Sequence, residues 1–102
     1  MTNFTSIIKQ VETEFDNIYR ITAENGLVLD ISENKKPNIG SKIEYYINNS
    51  TIETVYTIMN GIIFNKHDTG ILVSFGGLLA NIPIHSSEIK TEYISLSYKI
   101  IE

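Results

Sequence analysis

Few side chains in this sequence could carry acid–base or metal chemistry. His67 and His85 are the only histidines, and there is no cysteine. The lack of cysteine excludes a disulfide scaffold, a thiolate zinc site and a cysteine nucleophile. His67-Asp68 has the form of a carboxylate orienting an imidazole, but it lies in Asn65–Gly70, a run whose composition predicts a hairpin turn. His85-Ser86-Ser87-Glu88 fits a turn or helix cap, where serine is favoured. Asp16, Asp30, Glu44 and Glu53 are scattered over predicted strands and turns. Metal centres and catalytic bases are built from convergent groups at defined spacing, and no such constellation is visible. Gly76-Gly77 is not followed by the helix, Lys and Ser/Thr of a phosphate loop. The expectation is a protein with no catalytic residue, no metal ligand and no cofactor, hence not an enzyme.

Two polar residues and a set of aromatics remain. Asp30 interrupts the apolar run Leu27-Val28-Leu29-Asp30-Ile31. Side chains alternate faces along a strand, so Asp30 should point away from Leu27, Leu29 and Ile31, towards a solvated face. Arg20 is the only arginine and falls on the neighbouring hairpin arm. Arg20 and Asp30 are expected to share a sheet face and pair across it, a contact worth about 0–1 kcal/mol if exposed. Tyr19, Tyr45, Tyr46, Tyr56, Phe64 and Phe75 could in principle stack the bases of a single-stranded nucleic acid. Lys and Arg number 8 against 12 Asp and Glu, a net charge of −4, so phosphate neutralisation would be missing. Core packing and contact with a protein partner are the expected uses of these rings.

The elements that must position these residues are all strands. A chain of 102 residues with 42% hydrophobic and 20% charged content makes one globular domain, residues 1–102, able to bury a core. No run approaches bilayer length and the N-terminus lacks a basic-then-apolar leader, so a soluble intracellular protein is expected. Phe4, Ile7, Ile8 and Val11 fit either a helix face or a strand, and β-branched neighbours favour a strand around Ser6–Glu12. Glu12, Glu14 and Asp16 read as a solvated turn. Asn17–Ala23 and Leu27–Ile31 form a hairpin across Glu24-Asn25-Gly26. Ser32–Gly40 is a loop, and Lys42–Ile47 alternates with Ile43, Tyr45 and Ile47 inward. Asn48-Asn49-Ser50 is a turn; Thr51–Thr54 has no clear class. Val55–Phe64 is apolar on both faces, which predicts cover on both sides, and Gly61 suggests a bend. Pro83–Lys90 is a loop or single helical turn. Glu92–Ile100 closes the chain, with Ile94, Leu96, Tyr98 and Ile100 on one face. About seven or eight short strands make an all-β fold, a small barrel of the oligonucleotide-binding kind.

The barrel is organised around Ser74-Phe75-Gly76-Gly77-Leu78-Leu79. Apolar residues on both sides of Gly-Gly predict a strand that kinks or bulges there, as at a barrel corner. The same residues, Phe75, Gly76, Gly77, Leu78 and Leu79, are candidates for a partner interface, because bent backbone exposes hydrogen-bonding groups.

Ser74–Leu79, preceded by Tyr56-Thr57-Ile58-Met59-Asn60-Gly61, resembles the eighth subunit shared by the eukaryotic nuclear RNA polymerases. That family has a Tyr-x-Met-Tyr-Gly strand followed by Ser-(Phe/Tyr)-Gly-Gly-Leu-Leu. The likeness extends to Phe15–Ile21, to Leu27–Ile31 with its Asp, to Pro37 and Lys42–Ile47, and to Glu92–Leu96, in the expected order. It departs in three places. Only Asn48–Thr54 stands where the family has a long acidic insertion, Ala80-Asn81-Ile82-Pro83 replaces a Met-Arg-Leu-type continuation, and the basic C-terminus is absent.

The resemblance implies a noncatalytic subunit of a DNA-directed RNA polymerase. Such a subunit docks on the largest subunit and supports assembly of the transcription complex, with little direct nucleic-acid contact and no membrane. It would work in the nucleus of a cellular eukaryote, or in the cytoplasm or virion for an archaeal or viral counterpart. The alternative is an autonomous single-stranded nucleic-acid-binding barrel.

Overall fold

The computed structural model describes residues 2–48 and 56–102. Eight antiparallel strands form one closed barrel: β1 (Thr2–Phe15), β2 (Ile18–Ala23), β3 (Val28–Ser32), β4 (Lys42–Ile47), β5 (Thr57–His67), β6 (Gly70–Phe75), β7 (Leu78–Ile82) and β8 (Tyr93–Ile101). The order around the barrel is β1-β2-β3-β7-β6-β5-β8-β4, with β4 pairing back onto β1. A single 3-10 turn, Ser86–Glu88, lies between β7 and β8, and His85 precedes it without a side-chain cap. The expected turn at 49–50, the unclassified stretch 51–54 and the predicted strand start at 55 lie outside the described residues.

Closure is the work of the two longest strands. The first half of β1 pairs with β4 (Thr2↔Ile47 to Ile7↔Lys42) and the second half with β2 (Ile8↔Ala23 to Phe15↔Ile18). Between them the register slips at Lys9, an extra residue that bends the strand. At the bend, Ile8 N–H donates to the Ser41 carbonyl at 2.9 Å, and Gly40 N–H donates to Ile8 at 2.7 Å. In the same way β5 pairs with β8 through Thr57–Ile62 and with β6 through Ile62–His67, slipping at Phe64. Glu12 and Glu14 therefore belong to a strand, contrary to the expected acidic turn. The reversal is confined to Asp16-Asn17, where Asn17 takes φ +63°.

The interior follows the alternation of the sequence. Ile21, Ala23, Leu27, Leu29, Ile31, Ile43, Tyr45, Ile71, Val73, Ile82 and Leu96 are buried and fill the barrel. Phe4 stacks on Tyr45 with centroids 5.0 Å apart. Asn25 ties this core to the β2–β3 turn: its amide donates to the Tyr45 hydroxyl at 2.9 Å, its side-chain oxygen accepts Leu27 N–H, and its own N–H donates to Ser6 Oγ. Tyr98, the cross-strand neighbour of Tyr45, donates its hydroxyl to Glu33 at the other end of β3.

Gly76 and Gly77 do not bend one strand. They reverse the chain between β6 and β7, with Phe75 opposite Leu78. Their φ values of +67° and +107° are those of a two-residue type I′ hairpin, the turn whose twist matches that of paired strands. A Cβ at either would meet open space, so backbone conformation alone favours glycine there. Gly61 is different. β5 runs through it with both ladders intact at Gly61↔Ile94 and Ile62↔Ser74, but a Cβ there would lie 2.5 Å from the Ser74 carbonyl oxygen and 2.6 Å from the Phe75 ring. Gly61 clears the space that Phe75 fills.

Two expectations follow for stability. By urea unfolding, Gly61→Val loses about 1–3 kcal/mol through overpacking. Gly77→Val loses a similar ~1–3 kcal/mol through backbone strain, while Gly76→Asn, which tolerates positive φ, stays within about 0.5 kcal/mol. The second concerns alkali. Burial raises the Tyr45 phenol above its ordinary value, partly offset by Asn25, and burial with the bond to Glu33 raises Tyr98 further. A raised folded-state value means the unfolded chain ionises first, so stability is level below about pH 10 and falls above it by roughly 1.4 kcal/mol per pH unit for each such group. A spectrophotometric tyrosine titration at 295 nm should show Tyr45 and Tyr98 among the phenols that ionise later in the folded chain than in the unfolded one.

Candidate docking face

The outer surface of the barrel carries one continuous row of side chains. Tyr93 on β8 is opposite Ile62 on β5, Ile62 opposite Ser74 on β6, and Ser74 opposite Leu79 on β7. On the far side of β7 lie Asp30 on β3, opposite Arg20 on β2, and Glu12 on β1 opposite Arg20. One end is apolar and exposed: Tyr93 is 68%, Ile62 55% and Phe64 58% accessible. Phe64 shares the outward face of Ile62 by the alternation of β5, with Ile63 between them turned inward, and sits at the strand's bulge. With Leu72, Leu79, Val28 and the stem of Arg20 it borders a groove of about 250 Å³. The expectation that β5 is covered on both faces is therefore overturned. Outward apolar residues need a second layer to hide them, and among the described residues this chain has no helix to supply one.

The other end is charged and closed. Arg20 Nε donates to Asp30 Oδ1 at 2.7 Å and Nη2 to Oδ2 at 3.1 Å, while Glu14 lies 3.0 Å from Nε. The bond to Asp30 pushes Arg20 above its ordinary value; burial opposes it, and the charges of Asp30, Glu14 and Glu12 add smaller upward pushes. Asp30 is not on a solvated face, as its alternation suggested, but only 5% accessible. Arg20 covers it from β2, and Leu79 N–H donates to Oδ2 at 3.0 Å from β7. A bidentate guanidinium and a backbone donor together occupy both carboxylate oxygens, which is what lets the charge lie buried.

Of the interface candidates from the sequence, Gly76 and Gly77 are exposed at a hairpin tip, Leu78 is half-buried and Leu79 is exposed. Phe75 points inward against Gly61, 7% accessible, so its ring is not available as an anchor. Phe64, among the aromatics that the sequence offered for partner contact, does face outward, and Ile58, Ile62, Tyr93 and Phe15 are further outward apolar residues that the interface candidates did not include. The signal was present: apolar residues on both faces of β5 in a chain with no second layer to place over it. The aromatics divide accordingly. Tyr45 and Phe75 are core, Tyr46 and Tyr56 pack edge to face at 5.3 Å, and the Lys99 ammonium sits 5.1 Å from the Tyr56 ring. His67 and His85 are both exposed, one at the end of β5 and the other before the 3-10 turn. Among the described residues no three His, Asp or Glu side chains are grouped as metal ligands would be.

Asp30→Ala should remove both the partner of Arg20 and the acceptor of Leu79 N–H, lowering stability by about 1–3 kcal/mol. Asp30→Asn keeps an acceptor for one donor and should lose less. Equal losses in urea unfolding would show that the Leu79 bond contributes nothing.

No model of a known protein family matches the chain, and no curated protein matches it.

Proposed function

We propose that this chain is a noncatalytic subunit of a DNA-directed RNA polymerase that docks on the largest subunit and supports assembly of the complex. The observation that carries the docking half of this reading is the set of exposed apolar residues Tyr93, Ile62, Phe64 and Leu79 on neighbouring strands of one outer face. Contiguous apolar surface on a small acidic barrel marks a site of protein contact, since water alone leaves it unfavourably hydrated. Aromatic and aliphatic side chains of this kind supply the buried anchors in which interfaces concentrate their energy. The polymerase half rests on the ordered likeness of Leu27–Ile31, Tyr56–Gly61 and Ser74–Leu79 to the shared eighth subunit.

The charge pattern supports a protein partner over a nucleic acid. Arg20 is committed to Asp30 and Glu14, Lys99 lies over Tyr56, and Lys66 donates to the Ile89 carbonyl at 3.3 Å. A base-stacking platform needs such cations aimed at phosphates.

Affinity isolation of the tagged chain from its source cells, read by quantitative mass spectrometry, tests this. The expected result is recovery of the largest polymerase subunit in roughly equal amount with the chain. The pair Ile62→Ser and Tyr93→Ser should abolish that recovery while leaving circular dichroism unchanged. Recovery without polymerase subunits, or tight salt-sensitive binding of the isolated chain to single-stranded DNA or RNA, would contradict the proposal.

A further inference from the structure

The outer wall of the barrel is charged on one side and uncharged on the other. Glu12 and Glu14 on β1, Arg20 on β2, and Lys42 and Glu44 on β4 put ionised groups on the first side. The outward residues of β5, which are Ile58, Asn60, Ile62 and Phe64, carry no charge. Nor do Tyr93 and Ser95 beside them on β8, Ser74 on β6, or Leu79 opposite Ser74 on β7. Ile62 stands at the centre, with Tyr93 on one side and Ser74 on the other, and Asn60 and Phe64 before and after it on its own strand. Charge returns at the rim, where Lys99 lies over Tyr56, Lys66 donates to the Ile89 carbonyl and Glu92 precedes β8.

This face has relief as well as neutrality. Tyr93 borders a groove of about 370 Å³ together with Asn60, Ile62 and Ser95, and Phe64 borders the groove of about 250 Å³ on the other flank. Two exposed rings, each beside a hollow, make a shape that a copy of itself can fill. The polar groups are self-complementary in the same sense. The side chains of Asn60, Ser74, Tyr93 and Ser95 each donate and accept hydrogen bonds, so the same set can satisfy itself when the face meets its own copy. A charge on such a face would meet its like across a twofold axis. The chain as a whole, at a net charge of −4, repels its copies, so contact between them is favoured where charge is missing.

We infer that two copies of this chain pair through this face, about a twofold axis near Ile62, with the Tyr93 and Phe64 rings of each seated in hollows of the other. Three strands about 4.8 Å apart and six residues at about 3.3 Å, with side-chain margins, give each copy a contact of roughly 400–500 Å². The pair then buries roughly 1,000 Å² in all, which suits a reversible dimer and falls short of a permanent one. This inference goes beyond the docking reading and does not need it. The two share a face, so self-pairing and docking on a polymerase subunit exclude one another, and pairing hides the apolar residues while that partner is absent.

Sedimentation equilibrium of the full chain, from about 10 µM to about 1 mM, should show a monomer passing into a dimer. Added sodium chloride should raise the dimer fraction, because it screens the repulsion between like-charged copies and leaves apolar contact in place. Ile62→Lys and Ile62→Glu change a residue that is 55% exposed, and circular dichroism should show both folded. Each should weaken pairing by about tenfold or more. An equimolar mixture of the two should restore it, since opposite charges then meet across the axis. Tyr93→Ser should also weaken pairing, whereas Phe15→Ser, exposed on the β1–β2 hairpin, should not. A single monomeric species at the highest concentration, a dimer that salt loosens or that Ile62→Lys leaves intact, a mixture no tighter than either variant alone, or assembly beyond two copies would each overturn the inference. The measurement needs no polymerase. A dimer in a chain that recovers no polymerase subunit overturns the proposed function alone, and a monomer in a chain that does recover them overturns this inference alone.

Discussion

The barrel closes at its narrowest joint through one carboxylate. Every other neighbouring pair of strands shares at least five register positions, whereas β3 and β7 share two. Asp30 supplies the missing rung from its side chain, accepting Leu79 N–H on one oxygen and the Arg20 guanidinium across both. A buried charge is costly unless its lone pairs are occupied, so the three groups depend on one another. Strand β2 holds the arginine, β3 the carboxylate and β7 the amide, and the position of the β6–β7 hairpin follows from that contact.

This arrangement accounts for why the outer surface has two characters. Where ladders are complete, from β8 through β5 and β6 to β7, the outward positions carry Tyr93, Ile62, Phe64 and Leu79. Where the ladder stops, the outward positions are Asp30, Arg20, Glu12 and Glu14. A partner that covered the first region would bury apolar surface. One that reached the second would meet the Arg20–Asp30–Glu14 cluster, so affinity and orientation can come from adjacent parts of one face.

Much of the fold was legible in the sequence because it depends on local alternation. Leu27, Leu29 and Ile31, and again Ile43, Tyr45 and Ile47, announce both strand and inward face, and Asn25-Gly26 announces the hairpin between β2 and β3. The meeting of Arg20 and Asp30 followed from that hairpin's register. Closure was not legible in the same way. The bend in β1 sits at Lys9, whose residue type carries no bend signal, and it is imposed by pairing with β4 some forty residues away. Gly76-Gly77 was ambiguous because apolar residues on both sides suit one kinked strand as well as two; the two successive positive φ values decide for a hairpin. Asp30 looked solvated because alternation gives the face of a side chain but not what lies over it, and its cover comes from the Arg20 side chain together with Leu79, forty-nine residues away.

Residue-resolved amide hydrogen exchange on the isolated chain tests the central claim, that the Asp30 carboxylate holds Leu79 and with it the short β3–β7 joint. Leu79 N–H should exchange slowly, with the ladder amides of β7, and in Asp30→Ala it should exchange fast. Fast exchange at Leu79 in the unaltered chain, or exchange there that stays slow in Asp30→Ala, contradicts the account.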